Sequence, residues 1–80
     1  MKELVEYVVK GLVESPDEVF IKAFDEPDET VLEVTVAGSD MGRVIGKRGR
    51  VINAIRTLAK VNAAKQGTRV SVELVETGDR

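Results

Sequence analysis

Cysteine, histidine and tryptophan are missing altogether from this 80-residue sequence. Without cysteine there is no disulfide framework, no thiol nucleophile and no thiolate metal site. Without histidine the usual proton shuttle near neutral pH is gone, and with it the commonest metal ligand. Catalysis would fall to carboxylates, lysines and hydroxyls, which must converge in one site to act. No carboxylate occurs between Asp40 and Glu73, so neither an enzyme nor a bound cofactor is expected. Long apolar runs are lacking too. Glu3 and Glu6 interrupt the first dozen residues, and no stretch reaches the length of a signal sequence or membrane span. A cytoplasmic protein without membrane association is the expectation. Eighty residues make a single domain, 1–80, too short for a doubly wound nucleotide-binding sheet or a barrel enzyme.

What is present is unevenly spread. The net charge is −2, yet residues 1–40 carry 3 basic and 11 acidic side chains, whereas residues 41–80 carry 9 basic and 3 acidic ones. From Arg43 to Arg69 there are eight lysines and arginines and no acid. Such a run is the footprint of a polyanion partner or, read blandly, a solvated basic helix face.

Periodicity gives six elements. Leu4, Val5, Val8, Val9 and Leu12 sit at helical spacing over 3–14, and Ser15-Pro16-Asp17 stops that helix. "EVFIKAF" (18–24) and "TVLEVTVA" (30–37) are β-branched and aromatic, joined through "DEPDE" as an antiparallel hairpin. After Gly38, Ser39 or Asp40 caps a short helical turn carrying Met41, Val44 and Ile45, which ends at Gly46. A longer helix spans Arg50 to Gln66, and "TRVSVELVE" (68–76) alternates as a third strand. The helix pair between the second and third strands is long enough to be a crossover, making those strands parallel neighbours. The expected fold is α+β in the order α-β-β-α-α-β. It is a two-layer sandwich in which a three-stranded mixed sheet is covered by helices on one face. Leu32, Val34, Val36, Val70, Val72 and Leu74 should face the helices. In the first strand either Phe20, Lys22 and Phe24 or Val19, Ile21 and Ala23 face away.

The stretch "VIGKRGRVINAIRT" (44–57) places Gly46-Lys47-Arg48-Gly49 between two helices. Glycine reverses the chain there without steric cost, and its missing Cβ lets a sugar–phosphate backbone approach. The N–H groups opening the Arg50 helix, with the positive end of its dipole, would face that backbone. A purely structural turn has no use for two cations at its tip. Other phosphate loops do not fit. A Walker A loop needs four residues between its glycines and a Ser or Thr after the lysine, but Gly42 and Gly46 enclose three and Arg48 follows Lys47. The dinucleotide fingerprint must follow a strand directly, and a helical turn intervenes.

Those residues carry a resemblance. "RVIGKRGRVINAIRT" is similar to the signature of a KH domain, with Gly46 to Gly49 as its GXXG loop, and the element order resembles the type II, bacterial arrangement. From "MKELVEYVVKGLVESPDEV" to "RVSVELVE" nearly the whole chain resembles the small single-KH RNA-binding proteins of the KhpA family. The resemblance implies a groove, walled by the loop and its two helices, that holds about four unpaired nucleotides. It further implies a role as RNA chaperone or post-transcriptional regulator, a homodimer, and a heterodimer with a larger Jag-type KH protein. Carried over onto this chain, Gly46 and Gly49 admit the backbone of single-stranded RNA, and Lys47 and Arg48 meet its phosphates. Val44, Ile45 and Ile52 either line the groove under the bases or belong to the core. Arg43 and Arg50 flank the loop. Asn53, Arg56 and Lys60 share a helical sector of roughly 60°, solvated or facing RNA.

The long helix carries more apolar surface than one sheet buries. Ala54, Leu58 and Val61 widen its stripe to roughly 180°. Either the N-terminal helix covers the surplus or a second copy does. A KH fold used mainly for dimerisation or docking, with little RNA binding of its own, is the alternative to an RNA-binding groove. The two cations at the loop tip favour the groove.

Overall fold

A computed structural model of the chain describes residues 2–77. Helix α1 (Lys2–Leu12) is followed by strands β1 (Phe20–Asp25) and β2 (Thr30–Val36), helices α2 (Met41–Ile45) and α3 (Arg50–Lys65), and strand β3 (Val70–Glu76). The sheet order is β1-β2-β3, with β1 antiparallel and β2 parallel to its partner β3, as the crossover argument requires. Among the described residues no helix is long and apolar enough to cross a membrane.

The strand boundaries shift for local reasons. Pro16 opens a single 3-10 turn, Pro16–Glu18, so β1 begins at Phe20 rather than at Glu18. At the other end, Thr68 belongs to the stop of α3. Its N–H donates to the Ala63 carbonyl (2.9 Å) while Gly67, at φ 73°, donates to Ala64, a Schellman closure that delays β3 to Val70.

One face of the sheet meets the helices. Leu32, Val34, Val36, Val70 and Val72 are buried there against Val5 and Val9 of α1, Val44 of α2, and Ile52, Ile55, Ala59 and Ala63 of α3, with Leu74 half-buried beside them. In β1 the alternation resolves as Val19 and Ile21 inward, Phe20 and Phe24 outward on the open face. Pairing of Phe20 with Thr35, Lys22 with Glu33 and Phe24 with Val31 fixes that register. Ala54 is exposed, and Leu58 and Val61 are each 52% exposed, so α1 leaves the outer flank of α3 uncovered.

Asp40 departs from the expectation of a cap. Its side chain makes no capping hydrogen bond to the N–H groups of α2. The Asp40 carboxylate is instead almost wholly buried and accepts the backbone N–H groups of Glu14 (3.0 Å) and Ser15 (3.1 Å). This ties the exit of α1 to the entrance of α2, and thereby holds the short helix that delivers the loop.

Candidate nucleic-acid interface

Three backbone choices shape the loop after α2. Gly46 takes φ 76°, ψ 173°, a region essentially closed to other residues. A Cβ at Gly46 would also collide with the Val51 side chain and stand 2.9 Å from the Val51 nitrogen. Arg48 follows at φ 58°, ψ 25°, the sole non-glycine with positive φ among the described residues, and Gly49 at φ 74°, ψ 16°. Two left-handed residues in succession, Arg48 and Gly49, turn the chain sharply into α3, with a tight turn closed by Gly49 N–H to the Gly46 carbonyl (3.2 Å).

The result is an anion-facing tip. Lys47, Arg48 and Arg50 are exposed, and among the described residues no carboxylate pairs with any of them. The N-cap of α3 is Gly49, which has no side chain to cap the helix, and the first N–H of the helix, that of Arg50, donates to the Lys47 carbonyl. Exposed cations and the positive end of a helix therefore meet at one turn, the chemistry that receives a phosphate.

The remaining expected site residues divide. Ile45 is 36% exposed beside the loop and offers apolar surface there. Val44 is fully buried and Ile52 nearly so, which places both in the core rather than under a ligand. Asn53 is exposed one turn into α3, with its Nδ2 3.6 Å from where a Gly49 Cβ would stand, so it adjoins the loop. Arg43 does not extend the positive wall. Its Nη2 pairs with Glu14 Oε2 (3.0 Å) and its Nε lies 3.7 Å from Asp40 Oδ1, which draws it to the acidic side of α2. Arg56 is not on a solvated face either: it is half-buried, and its Nε donates to the Val72 carbonyl (3.2 Å). Sequence reasoning missed that bond and the staple made by Asp40. The Asp40–Arg43 spacing of three was visible on one helical face, whereas the distant partners were not.

Helix α3 packs over β3, and β3 is an edge strand. Running away from the loop, α3 carries Asn53, Arg56 and Lys60 in turn, and Arg56 reaches the β3 edge through its bond to Val72. Among the described residues no group of histidine, cysteine, aspartate or glutamate side chains could hold a metal ion.

A helix-covered mixed sheet in the order α-β-β-α-α-β, with a basic GXXG turn between its middle helices, is the type II KH fold. The chain belongs to the family described as "KhpA/KhpB, KH domain", whose pattern matches residues 2–74. It is 47% identical over 75 residues to "RNA-binding protein KhpA" of Clostridium acetobutylicum, covering 94% of this chain and 100% of that protein. The protein of the same name from Chlamydia trachomatis is 45% identical over 76 residues, 95% of this chain and 97% of its own. That of Borreliella burgdorferi is 45% identical over 74 residues, 92% and 90% of the two chains. Among solved structures the fold resembles part of Era from Aquifex aeolicus, bound to GDP and aluminium fluoride, with a TM-score of 0.64 at 23% identity. An Era complex with MgGDPNP and nucleotides 1506–1542 of 16S ribosomal RNA gives the same figures. In both cases 94% of this chain aligns with only 29% of the Era chain, so the likeness concerns the fold of one part of Era.

Proposed function

We propose that this chain binds single-stranded RNA, receiving the sugar–phosphate backbone at Gly46-Lys47-Arg48-Gly49 and directing the bases along α3 toward the edge of β3. The observation that carries this reading is the loop itself, where three exposed cations with no carboxylate partner among the described residues surround the start of α3. The name of the relatives, "RNA-binding protein KhpA", agrees with it. Gly46 and Gly49 admit the backbone, Lys47, Arg48 and Arg50 meet phosphates, and Ile45 and Asn53 adjoin the first base. Val44 and Ile52 contribute by bracing the helices from the core.

In this reading the chain works in the cytoplasm as an RNA chaperone or post-transcriptional regulator. It pairs with a second copy through the uncovered flank of α3 at Ala54, Leu58 and Val61, and with a larger Jag-type KH protein in the same manner. The test is direct titration of a fluorescent single-stranded RNA octamer and of a perfect duplex of equal length. Only unstacked bases can turn toward α3 while their backbone sits on the loop, so the single strand should bind markedly tighter. Equal affinity for both forms would reduce the interaction to general attraction by a basic surface.

A further inference from the structure

The helices cover one face of the sheet, and the other face stands open among the described residues. Strand register arranges that open face in rows. Phe20, Thr35 and Val75 form the first, Lys22, Glu33 and Glu73 the second, and Phe24, Val31 and Ser71 the third. Both phenylalanines of the chain therefore lie there, 57% and 46% exposed, with a charged row between them. Within that row Glu33 and Glu73 are directly opposite on neighbouring strands, where like charges disfavour pairing. No ion pair relieves either carboxylate among the described residues, not even one with Lys22. Exposed aromatic area and two uncompensated carboxylates on one surface suit an apolar partner that brings a cation.

Size and charge select the occupant. Phosphate-bearing surfaces, whether nucleic acid or anionic lipid, are repelled by Glu33 and Glu73. Strands of six or seven residues, spaced about 4.8 Å apart, make a face of roughly 14 by 22 Å. That is about 300 Å², well short of the roughly 800 Å² that each globular partner gives to a stable interface. A second copy stacked on it by two-fold symmetry would also bring Glu33, in the middle row of the middle strand, against its own counterpart. A single helix, about 10–12 Å across, matches the width. We propose that the open face docks one amphipathic helix of a partner protein, in which a lysine or arginine sits between two apolar residues. The rows are two residues apart along each strand, about 6.7 Å, and four residues of helix rise about 6 Å. The partner's cation therefore falls over Glu33 and Glu73 when apolar residues four positions before and after it rest on the Phe20 and Phe24 rows. Lys22, at the β1 end of the charged row, limits the fit to one cation placed over β2 and β3.

The probe is an alanine-based helical peptide of about 15 residues carrying leucine, arginine and leucine at four-residue intervals. Its twin has glutamate in place of the arginine. Titrated into the full chain, the arginine peptide should move the amide resonances of β1, β2 and β3 and leave those of Gly46–Gly49 in place. It should bind about tenfold tighter than its twin, since attraction by two carboxylates is exchanged for repulsion. E33Q/E73Q should bring the two peptides to within about twofold of each other, and F20S/F24S should weaken both at least tenfold. Equal binding of the two peptides by the parent overturns the proposal, as do shifts confined to α3 or to the loop. The absence of binding at millimolar peptide overturns it too. So does light scattering in which F20S/F24S halves the mass of the parent with its circular dichroism unchanged, because the face then belongs to a second copy.

Discussion

At the scale of single residues, charge and support separate cleanly. Lys47 and Arg48 point from an exposed tip and touch no carboxylate among the described residues. Replacing both with aspartate, K47D/R48D, keeps both glycines and reverses the charge where phosphates are proposed to sit. Binding of a single-stranded octamer should fall at least tenfold in a fluorescence titration, while unfolding stability moves by about 1 kcal/mol or less. Asp40 behaves in the opposite sense. Its carboxylate is buried and satisfies two backbone N–H groups on a distant segment, so Asp40→Ala leaves both donors orphaned. The expected loss is about 2–4 kcal/mol, read from urea denaturation, because bonds to a charged acceptor and the desolvation of unpaired donors are both involved.

At the scale of elements, the two glycines of the turn are not equivalent. Gly46 is confined by its φ and ψ and by the Val51 backbone and side chain, so alanine there must push the start of α3 away. Gly49 is left-handed but open, with its nearest neighbour at an ordinary 3.6 Å. Gly49→Ala should therefore cost about 1 kcal/mol, the penalty of the left-handed region, whereas Gly46→Ala should cost about 2 kcal/mol or more. Thermal melts of the two variants give the ordering. The elements themselves were legible in the sequence because their signals are local. Alternation in 30–37, helical spacing in 50–66 and the glycine stops each lie within a few residues of the structure they specify. The crossover rule then supplied the parallel β2–β3 pair. What was not legible depends on partners far along the chain. Asp40 reads as a cap because Ser39-Asp40 precedes a helix, and nothing local shows that Glu14 and Ser15, 26 and 25 residues away, bring it their N–H groups. Arg56 looks solvated on a helical wheel because the wheel cannot show the edge of a strand 16 residues later. Val44 and Ile45 are neighbours in one apolar pair, and only packing decides that Val44 is core and Ile45 surface.

At the scale of the whole molecule, the uncovered flank of α3 sets the expectation for assembly. Leu58 stands half out of the core on a chain too small to spare much apolar area. Leu58→Glu should yield a folded monomer by light scattering and circular dichroism, with single-site RNA binding largely kept, since the loop is untouched. A variant that remains dimeric would move the interface elsewhere. Salt dependence reports on the other surface. With Arg43 engaged by Glu14, three loop cations are available, and log affinity should fall against log salt with a slope of about −2. The acidic hairpin turn, Asp25 to Glu29, lies beside Gly67 and Arg69, at the far end of α3 from the loop. Sixteen residues of helix separate the two poles by about 24 Å. A body so polarised does not tumble at random in the field of a polyanion: it arrives loop first, and collisions that lead with the hairpin turn are turned away. Orientation thus begins before contact, in the encounter rate, and neutralising the hairpin acids to amides should hasten association with every nucleic acid, duplex included, in stopped-flow measurements at low salt.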